Sequence, residues 1–435
     1  MYVTGRFPLL VALGVVPIMV LSVAGVSSWA VLLAWLALCI GVAAIDAARA
    51  VDARALTLVR DGTTRARLGD AVSTGIWITN PHPRAAHLTV RDAWQPTAGA
   101  PTERARVSIP GGERRHISVP LQPRRRGELR STFVALRSAG PLGIAGRQVV
   151  MANTGTLRVL PPFTSRRHLA SRVARLKELD GNTSLQVRGQ GTEFDSLREY
   201  VRGDDVRSID WRATARSATT MLRTWRPERD RHVVILIDTG RTSAARVGDG
   251  TRLDAFLEAA LLLTALAQRA GDHVHVVMFD RVVRARVSGV DGPRLLPAIV
   301  DAMAPIEAQL LDTNWDAAFA EIRTLTTRPS LVVLLTAQDS PDSSRAFLGS
   351  LQPVTARSRV IVGSATDSAL DDIAQQRTHI DEVYRAAAAQ QTASEAAAVA
   401  LAMQRAGAEA ITDTPENLPP RVADRYLALK KLGRL

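Results

Sequence analysis

The sequence predicts three kinds of structure in one chain: two N-terminal transmembrane helices, an all-β sandwich, and a C-terminal α/β doubly wound domain. Three observations carry this reading. Two charge-free apolar runs open the chain; short alternating apolar stretches fill the middle; buried-type strands alternate with helical stretches in the second half. The boundaries drawn from these changes of pattern are 1–50, 51–162, 163–229 and 230–435. With 435 residues the chain has enough length for several separately packed cores.

The apolar runs extend from Phe7 to Ala24 and from about Trp29 to Ile45. Each approaches the roughly 20 residues a helix needs to cross a bilayer. Only Gly25, Val26, Ser27 and Ser28 separate them, so the two helices are expected to be antiparallel neighbours. Arg6 precedes the first run, while Arg49, Arg54, Arg60, Arg65 and Arg67 follow the second. The positive-inside rule then puts both ends in the cytoplasm, making the protein multi-pass with the lipid bilayer as a partner. The competing expectation is a cleaved signal peptide ending near Ala24, with the second run kept as an anchor.

Residues 55–160 alternate apolar and polar positions in ALTLV, IWIT, HLTV, HISVPL, FVAL and TLRVL, punctuated by Asn80-Pro81, Pro110-Gly111-Gly112 and Gly140-Pro141. Period two between turn residues predicts antiparallel strands. His82, His87 and His116 are scattered and lack metal-ligand spacing.

From 232 onward, HVVILID, HVHVVMF, LVVLLTA and RVIVGSA are apolar runs of the kind found in parallel sheets buried on both faces. VVRARV (282–287) is expected as an antiparallel edge. Leu253 to Ala270 has helical periodicity, closed by Gly271. Further helices are expected over Pro293–Met303, Trp315–Leu325, about Asp367–Ala406 and Arg421–Lys431, with a short strand at Glu409–Ile411.

Composition excludes some functions. The single thiol, Cys39, lies in an apolar run, which rules out an internal disulfide framework or a cysteine-based zinc site. The formal net charge is +13 and almost wholly arginine, yet the chain is only 4% aromatic and no basic run is interleaved with aromatics, so no nucleic-acid partner is expected. No GxxxxGK[ST], GxSxG or HExxH motif is present.

The densest stretch is Gly189 to Arg226. Phe194 to Val201 is expected as a short helix stopped by Gly203, and Asp204 or Asp205 as the cap of a second helix over Val206–Ser217. Arg198, Arg202, Arg207, Arg212 and Arg216 alternate with Glu199, Asp204, Asp205 and Asp210 around Tyr200, Ile209 and Trp211. This composition suits a salt-bridged structural clasp with its aromatics buried, a protein-binding surface, or both. A metal-dependent hydrolase built from Glu193, Asp204, Asp205 and Asp210 is the alternative, although the interleaved arginines would neutralise its ligands.

The order Glu193, Leu197, Arg198, Tyr200, Gly203, Asp204, Arg207, Ile209, Asp210, Trp211, Ala215, Arg216 resembles the signature of the bacterial family called domain of unknown function 58. Arg124-Arg125-Arg126-Gly127, Pro141-Leu142-Gly143 and the ending Leu418, Tyr426, Leu427, Leu429, Lys430 also resemble it. The resemblance implies a C-terminal half similar to a von Willebrand factor A domain. It implies no catalytic activity, and work beside a MoxR-type AAA+ ATPase, as an adaptor in protein assembly or envelope maintenance. A membrane-bound sensor is a further alternative. It also implies a strand-end adhesion site of the Asp-x-Ser-x-Ser type for Mg²⁺, a hard cation suited to oxygen ligands. Here Asp238, Gly240 and Thr242 stand at that motif and Thr313 at the later threonine, while Thr336-Ala337 stands where a final aspartate is expected and Asp339 comes two residues late.

Overall fold

The computed structural model describes residues 1–186, 193–202, 204–226, 231–376, 378–433 and 435, with backbone alone at 180–186, 193–196, 224–226 and 371. The chain divides into two compact units, Met1–Leu160 and Pro161–Leu435.

In the first unit, β1 (Tyr2–Val3) leads into α1 (Arg6–Ala12), α2 (Val15–Val23) and α3 (Ser28–Arg49). Two segments, Arg6–Val23 (18 residues) and Ser28–Ala55 (28 residues), are long and apolar enough to cross a membrane. The first apolar run was expected as one helix and is two. Pro17 has no N–H and sits in the first turn of α2, where none is needed. At the break the Gly14 N–H turns to the Val11 carbonyl, and the indole N–H of Trp35 donates to the Leu10 carbonyl at 3.3 Å. Gly14 permits this, since a Cβ there would lie 2.3 Å from the Trp35 ring. A small residue at a helix crossing and a side chain that takes up a freed backbone group are the devices apolar helices use where water is absent.

Eight further strands follow: β2 (Thr57–Gly62), β3 (Arg65–Arg67), β4 (Val72–Thr79), β5 (Ala86–Trp94), β6 (Ala105–Ile109), β7 (Arg114–Leu121), β8 (Gly127–Ala139) and β9 (Ala145–Leu160). They form one sheet of order β1-β9-β8-β5-β6, with β3 beside β9, and a second of order β2-β4-β7. Ile76, Ile78, Leu88, Val90, Ile109, Val134 and Leu136 fill the core, as period-two alternation requires. Arg60 on β2 makes a bidentate pair with buried Asp92 on β5 at 2.6 and 2.8 Å.

The Pro141-Leu142-Gly143 step has a structural role. Asp46, near the end of α3 and 1% exposed, accepts hydrogen bonds from the N–H groups of Leu142, Ile144 and Ala145 at 2.8–2.9 Å. A Cβ on Gly140 would meet the Asp46 carbonyl at 2.3 Å, so only glycine fits. The apolar helices and the sandwich are thereby joined at their base, across the expected boundary at 50/51.

The second unit begins with α4 (Leu169–Gln186), then β10 (Glu193–Glu199), α5 (Trp211–Thr214) and β11 (Met221–Arg226). Its main body is β12 (His232–Asp238), β13 (Arg246–Val247), β14 (Gly250–Thr251), α6 (Arg252–Arg269), β15 (His273–Phe279), β16 (Val283–Val287), α7 (Leu295–Met303), α8 (Trp315–Leu325), β17 (Leu331–Leu335), α9 (Arg345–Thr355), β18 (Arg359–Ala365), α10 (Ala369–Gln375), α11 (Ile380–Arg405), β19 (Ala408–Asp413) and α12 (Leu418–Lys431). The sheet order is β16-β15-β12-β17-β18-β19, parallel except for the antiparallel edge β16. α6 opens on a capping box between Thr251 and Asp254, and Gly271, at φ +74°, follows its end. Nearly every side chain from Leu253 to Ala267 is buried, because α6 is covered by the sheet and by α4, α7 and α12. α9 was not expected: the Ser-Pro-Asp-Ser-Ser run before it and Pro353 within it are loop signals that tertiary packing of Phe347 and Leu351 overrides.

The family-like ending closes this unit. Leu418, Tyr426, Leu427 and Leu429 are buried, the Tyr426 hydroxyl donates to Asp272, and Lys430 pairs with the same carboxylate at 2.9 Å. Arg172 and Arg175 of α4 reach Asp424 of α12 at 2.7 and 2.9 Å.

Candidate functional site

The carboxyl ends of the parallel strands form the rim where ligands bind in sheets of this kind. Asp238 ends β12 there and is 1% exposed. Its Oδ1 accepts from the Gly240 N–H at 2.8 Å and the Thr313 hydroxyl at 2.6 Å. Its Oδ2 accepts from the hydroxyls of Thr336 at 2.7 Å and Thr242 at 3.3 Å. Ser243 donates to the Asp238 carbonyl at 2.7 Å, closing the loop after the strand. Burial pushes the Asp238 carboxyl above the ordinary carboxylate range, and the bonds from Thr313, Thr336, Gly240 and Thr242 pull against it.

The structure therefore brings Asp238, Thr242 and Thr313 together as expected, and adds Thr336, itself hydrogen-bonded by Gln338. Thr336 stood in the sequence only as a departure from the adhesion-site pattern. Gly240, in the place of a hydroxyl residue, has a reason: a Cβ there would sit 2.3 Å from the Thr313 hydroxyl and 2.9 Å from the Leu311 carbonyl.

The neighbouring carboxylates on this rim are also engaged. Asp339 pairs with Arg252, so the displaced aspartate serves an arginine. Asp280 is wholly buried and bonded to Arg284 at 2.6 Å and to the Thr239 hydroxyl at 3.1 Å. Burial opposes its charge, but Arg284 and the N–H groups of Arg281 and Val282 outweigh that and hold its pKa below the usual range. Asp413 pairs with Arg421 at 2.8 Å, and Asp312 with Arg241 at 3.1 Å. Asp238 is thus the one acidic group in its own cluster, and both its oxygens are taken up by two donors each, whereas a Mg²⁺ site needs carboxylate oxygens open to the ion. The donors present fit such an ion poorly.

The signature segment departs from its expected form. Phe194–Val201 is not a helix: β10 pairs antiparallel with β11, Glu193 opposite Arg226 and Glu199 opposite Met221. Exposure alternates with a strand period, Leu197, Glu199 and Val201 exposed and Arg198 and Tyr200 half-buried, while the residue types along the segment do not show it. Val206–Ser208 is one 3-10 turn capped by Asp205, and α5 is a single turn capped by Asp210, in place of the continuous helix expected to Ser217. Gly203 lies outside the described residues, as do the side chain of Glu193 and residues 187–192.

The clasp is internal. Arg198 pairs with Asp204 at 2.7 Å, and Arg223 with Asp210 at 2.7 Å. Bonds from the Ala213 N–H and Arg223 lower the Asp210 pKa. Asp204 also accepts from the Val201 N–H, and Asp205 from the Arg207 N–H. Asp204, Asp205 and Asp210 each fold their own turn and do not converge on a common cleft. Among the described residues, no group of three or more His, Cys, Asp or Glu side chains is placed to hold a metal ion. Tyr200 and Ile209 are half-buried, but Trp211, expected beneath the segment, is 70% exposed. Arg207 and Arg216 are exposed.

A feature the sequence reading missed lies at the opposite rim. His232 and His275 are hydrogen-bonded at 2.9 Å, and His232 stacks on both His273 and His275 at 5.3 and 5.2 Å. Burial, then the charges of His232 and His273, lower the His275 pKa. The His-x-His spacing in a strand, which places both rings on one face, was the available signal.

Comparison with known proteins bears on the C-terminal half. Residues 196–379 match the model of the family described as "Protein of unknown function DUF58". The chain carries a DUF58 segment. That segment holds most of the hairpin and the whole Asp238 cluster. No curated protein matches the chain. Among solved structures, similarity extends to the CARDB domain of PF1109 from Pyrococcus furiosus, crystallised with di-metal ions, at 13% identity over 24% of this chain and 86% of that one, TM-score 0.18. It also extends to Salmonella alpha-2-macroglobulin reacted with methylamine, at 17% identity over 24% of this chain and 7% of that chain, TM-score 0.20. A trypsin-activated alpha-2-macroglobulin from Escherichia coli aligns at 11% identity over 87% of this chain and 23% of that one, TM-score 0.20. Likenesses this slight carry no argument about function.

Proposed function

We propose that this DUF58-bearing chain is a non-enzymatic adaptor, held in the bacterial cytoplasmic membrane by its two N-terminal segments, with both folded units in the cytoplasm. Arginines flank the apolar pair on both outer sides and are absent from its connection, which favours that orientation. The second unit has the strand and helix order of a von Willebrand factor A-like fold, and its Asp238 rim is a degenerate adhesion site that works by hydrogen bonding without Mg²⁺. The observation that carries the reading is the state of the acidic groups. Asp238 is enclosed by four donors, and Asp280, Asp339 and Asp413 are each paired with an arginine. Acid–base or metal-assisted chemistry requires a carboxylate free to move a proton or hold an ion. A rim with none among the described residues favours binding over catalysis, and the turns made by Asp204, Asp205 and Asp210 disfavour the hydrolase alternative there.

By resemblance, a MoxR-type AAA+ ATPase is the partner. The test is co-purification of the full chain, in detergent, with each such ATPase of the same cell, together with ATPase rates. The full chain is required because truncation after α3 removes Asp46 and opens the sandwich at its base. Absence of both binding and rate change across all such ATPases would remove the adaptor reading. Divalent-dependent hydrolysis abolished by Asp204→Asn would replace it with the enzyme.

A further inference from the structure

We propose that the turn-rich part of the signature segment, Asp204 to Arg216 with Val201 and Arg202 before it, docks an acidic segment of a partner protein that brings one apolar anchor. The proposal rests on the adaptor reading and names the chemistry of its partner. Trp211 is 70% exposed, and Val206 and Val201 are 60% and 61% exposed, in one stretch of chain folded into tight hydrogen-bonded turns. A largely exposed tryptophan close in sequence to two exposed valines supplies apolar residues of the kind interface centres carry. Arg202, Arg207, Arg212 and Arg216 are exposed along the same stretch, and no described side chain pairs with them. Two of the nearby carboxylates, Asp204 and Asp210, are held by Arg198 and Arg223. Glu199 and Asp205 stay exposed, so the exposed charge of the stretch is four guanidiniums against two carboxylates, net positive. Trp and Arg are the residues most enriched at energetic centres of protein interfaces, and guanidinium groups match carboxylates bidentately.

The face fits a protein better than a lipid surface. Membrane-surface elements are uniformly basic on their polar side. Here Glu199 and Asp205 remain exposed among the arginines. Such a mixed pattern fixes the register of discrete carboxylates and would repel a plane of anionic headgroups locally.

The experiment uses the full chain in nanodiscs of neutral lipid and three probes. These are a fluorescent Glu/Leu peptide, the same peptide with all leucines replaced by glutamate, and vesicles of phosphatidylglycerol. The Glu/Leu peptide should bind, and more weakly as salt rises. Binding should fall about tenfold or more in the triple variant Arg207→Gln, Arg212→Gln, Arg216→Gln, since several charge-assisted bonds and their field are lost together. The triple lysine variant should recover only part, because lysine keeps charge but not the fork. Trp211→Ala should weaken the Glu/Leu peptide and leave the all-glutamate peptide unchanged. Equal binding by wild type and the triple glutamine variant, or arginine-dependent capture of vesicles without capture of peptide, would overturn the proposal. The two readings separate cleanly. If no MoxR-type ATPase binds while peptide binding depends on these arginines, the ATPase partnership fails and this surface stands. If the ATPase binds wild type and triple variant alike and the peptide binds neither, the surface fails and the adaptor stands.

Discussion

Replacing Asp238 by asparagine and by alanine distinguishes a hydrogen-bonded rim from an ion site. Asp238→Ala removes the acceptor for the Gly240 N–H and for the hydroxyls of Thr242, Thr313 and Thr336. Gly240 and Thr336 are buried, so their groups cannot turn to water. At about 1–3 kcal/mol for each buried group left without a partner, and some relief from hydroxyl rotation, the loss is about 3–5 kcal/mol. Asparagine keeps one acceptor oxygen for Gly240 and Thr313. Its amide faces Thr336 and Thr242, whose hydroxyls can rotate to accept. The cost of burying a charge also disappears, so Asp238→Asn should lie within about 1 kcal/mol of wild type. In thermal unfolding of the full chain in detergent, these become falls of about 6–20 °C and less than about 4 °C, at about 2–4 °C per kcal/mol for a unit of this size. pH supplies a second reading. The raised pKa of Asp238 means that the fold holds its proton more tightly than the unfolded chain. That contribution is complete below the ordinary value of 3.8 and is lost as pH rises through the folded value. Asparagine does not titrate, so Asp238→Asn should gain on wild type over the same rise. The reasoning is refuted if asparagine costs as much as alanine while Mg²⁺ raises the wild-type midpoint and neither variant's, since the charge would then be holding a cation.

Gly240→Ser restores the adhesion-site hydroxyl but forces a Cβ to 2.3 Å from the Thr313 hydroxyl; it should destabilise by about 1–3 kcal/mol and add no heat in a Mg²⁺ titration, checked by calorimetry. His275 is kept neutral by burial and by its histidine neighbours, so its contribution to stability is complete above 6.5 and is lost as pH falls toward its lowered folded value; the unfolding midpoint should drop across that window, and less steeply in His275→Gln. Asp46→Ala leaves the N–H groups of Leu142, Ile144 and Ala145 without their acceptor and should cost about 3–5 kcal/mol, read as early unfolding of the sandwich and protease cleavage near Pro141 in the detergent-solubilised chain.

Most of the fold was legible in the chain. Strand-length apolar runs such as HVVILID and HVHVVMF, and the helical period from Leu253 to Ala270, mark elements whose pattern comes directly from which side faces the core. The sandwich strands followed for the same reason. The signature hairpin did not, because it is made by pairing Leu197 with Arg223 and Arg198 with Leu222, residues far apart in the chain, while the local charge spacing of Glu199 and Arg202 is helix-like. α9 and the break at Gly14 were likewise settled by partners elsewhere in the chain, Trp315 and Phe319 against Phe347 and Trp35 across the helix pair.

For the candidate site, local sequence was enough to determine that Asp238 ends a buried strand with Thr242 beside it, since a strand-to-loop step needs only neighbouring residues. Tertiary structure alone decided the rest. Thr313 and Thr336 come to Asp238 from loops 75 and 98 residues away, and Arg252 takes Asp339 across 87. Whether a carboxylate is free, bonded or paired depends on which groups the folded chain places within about 3 Å of it, and that distance is not written in the order of the residues.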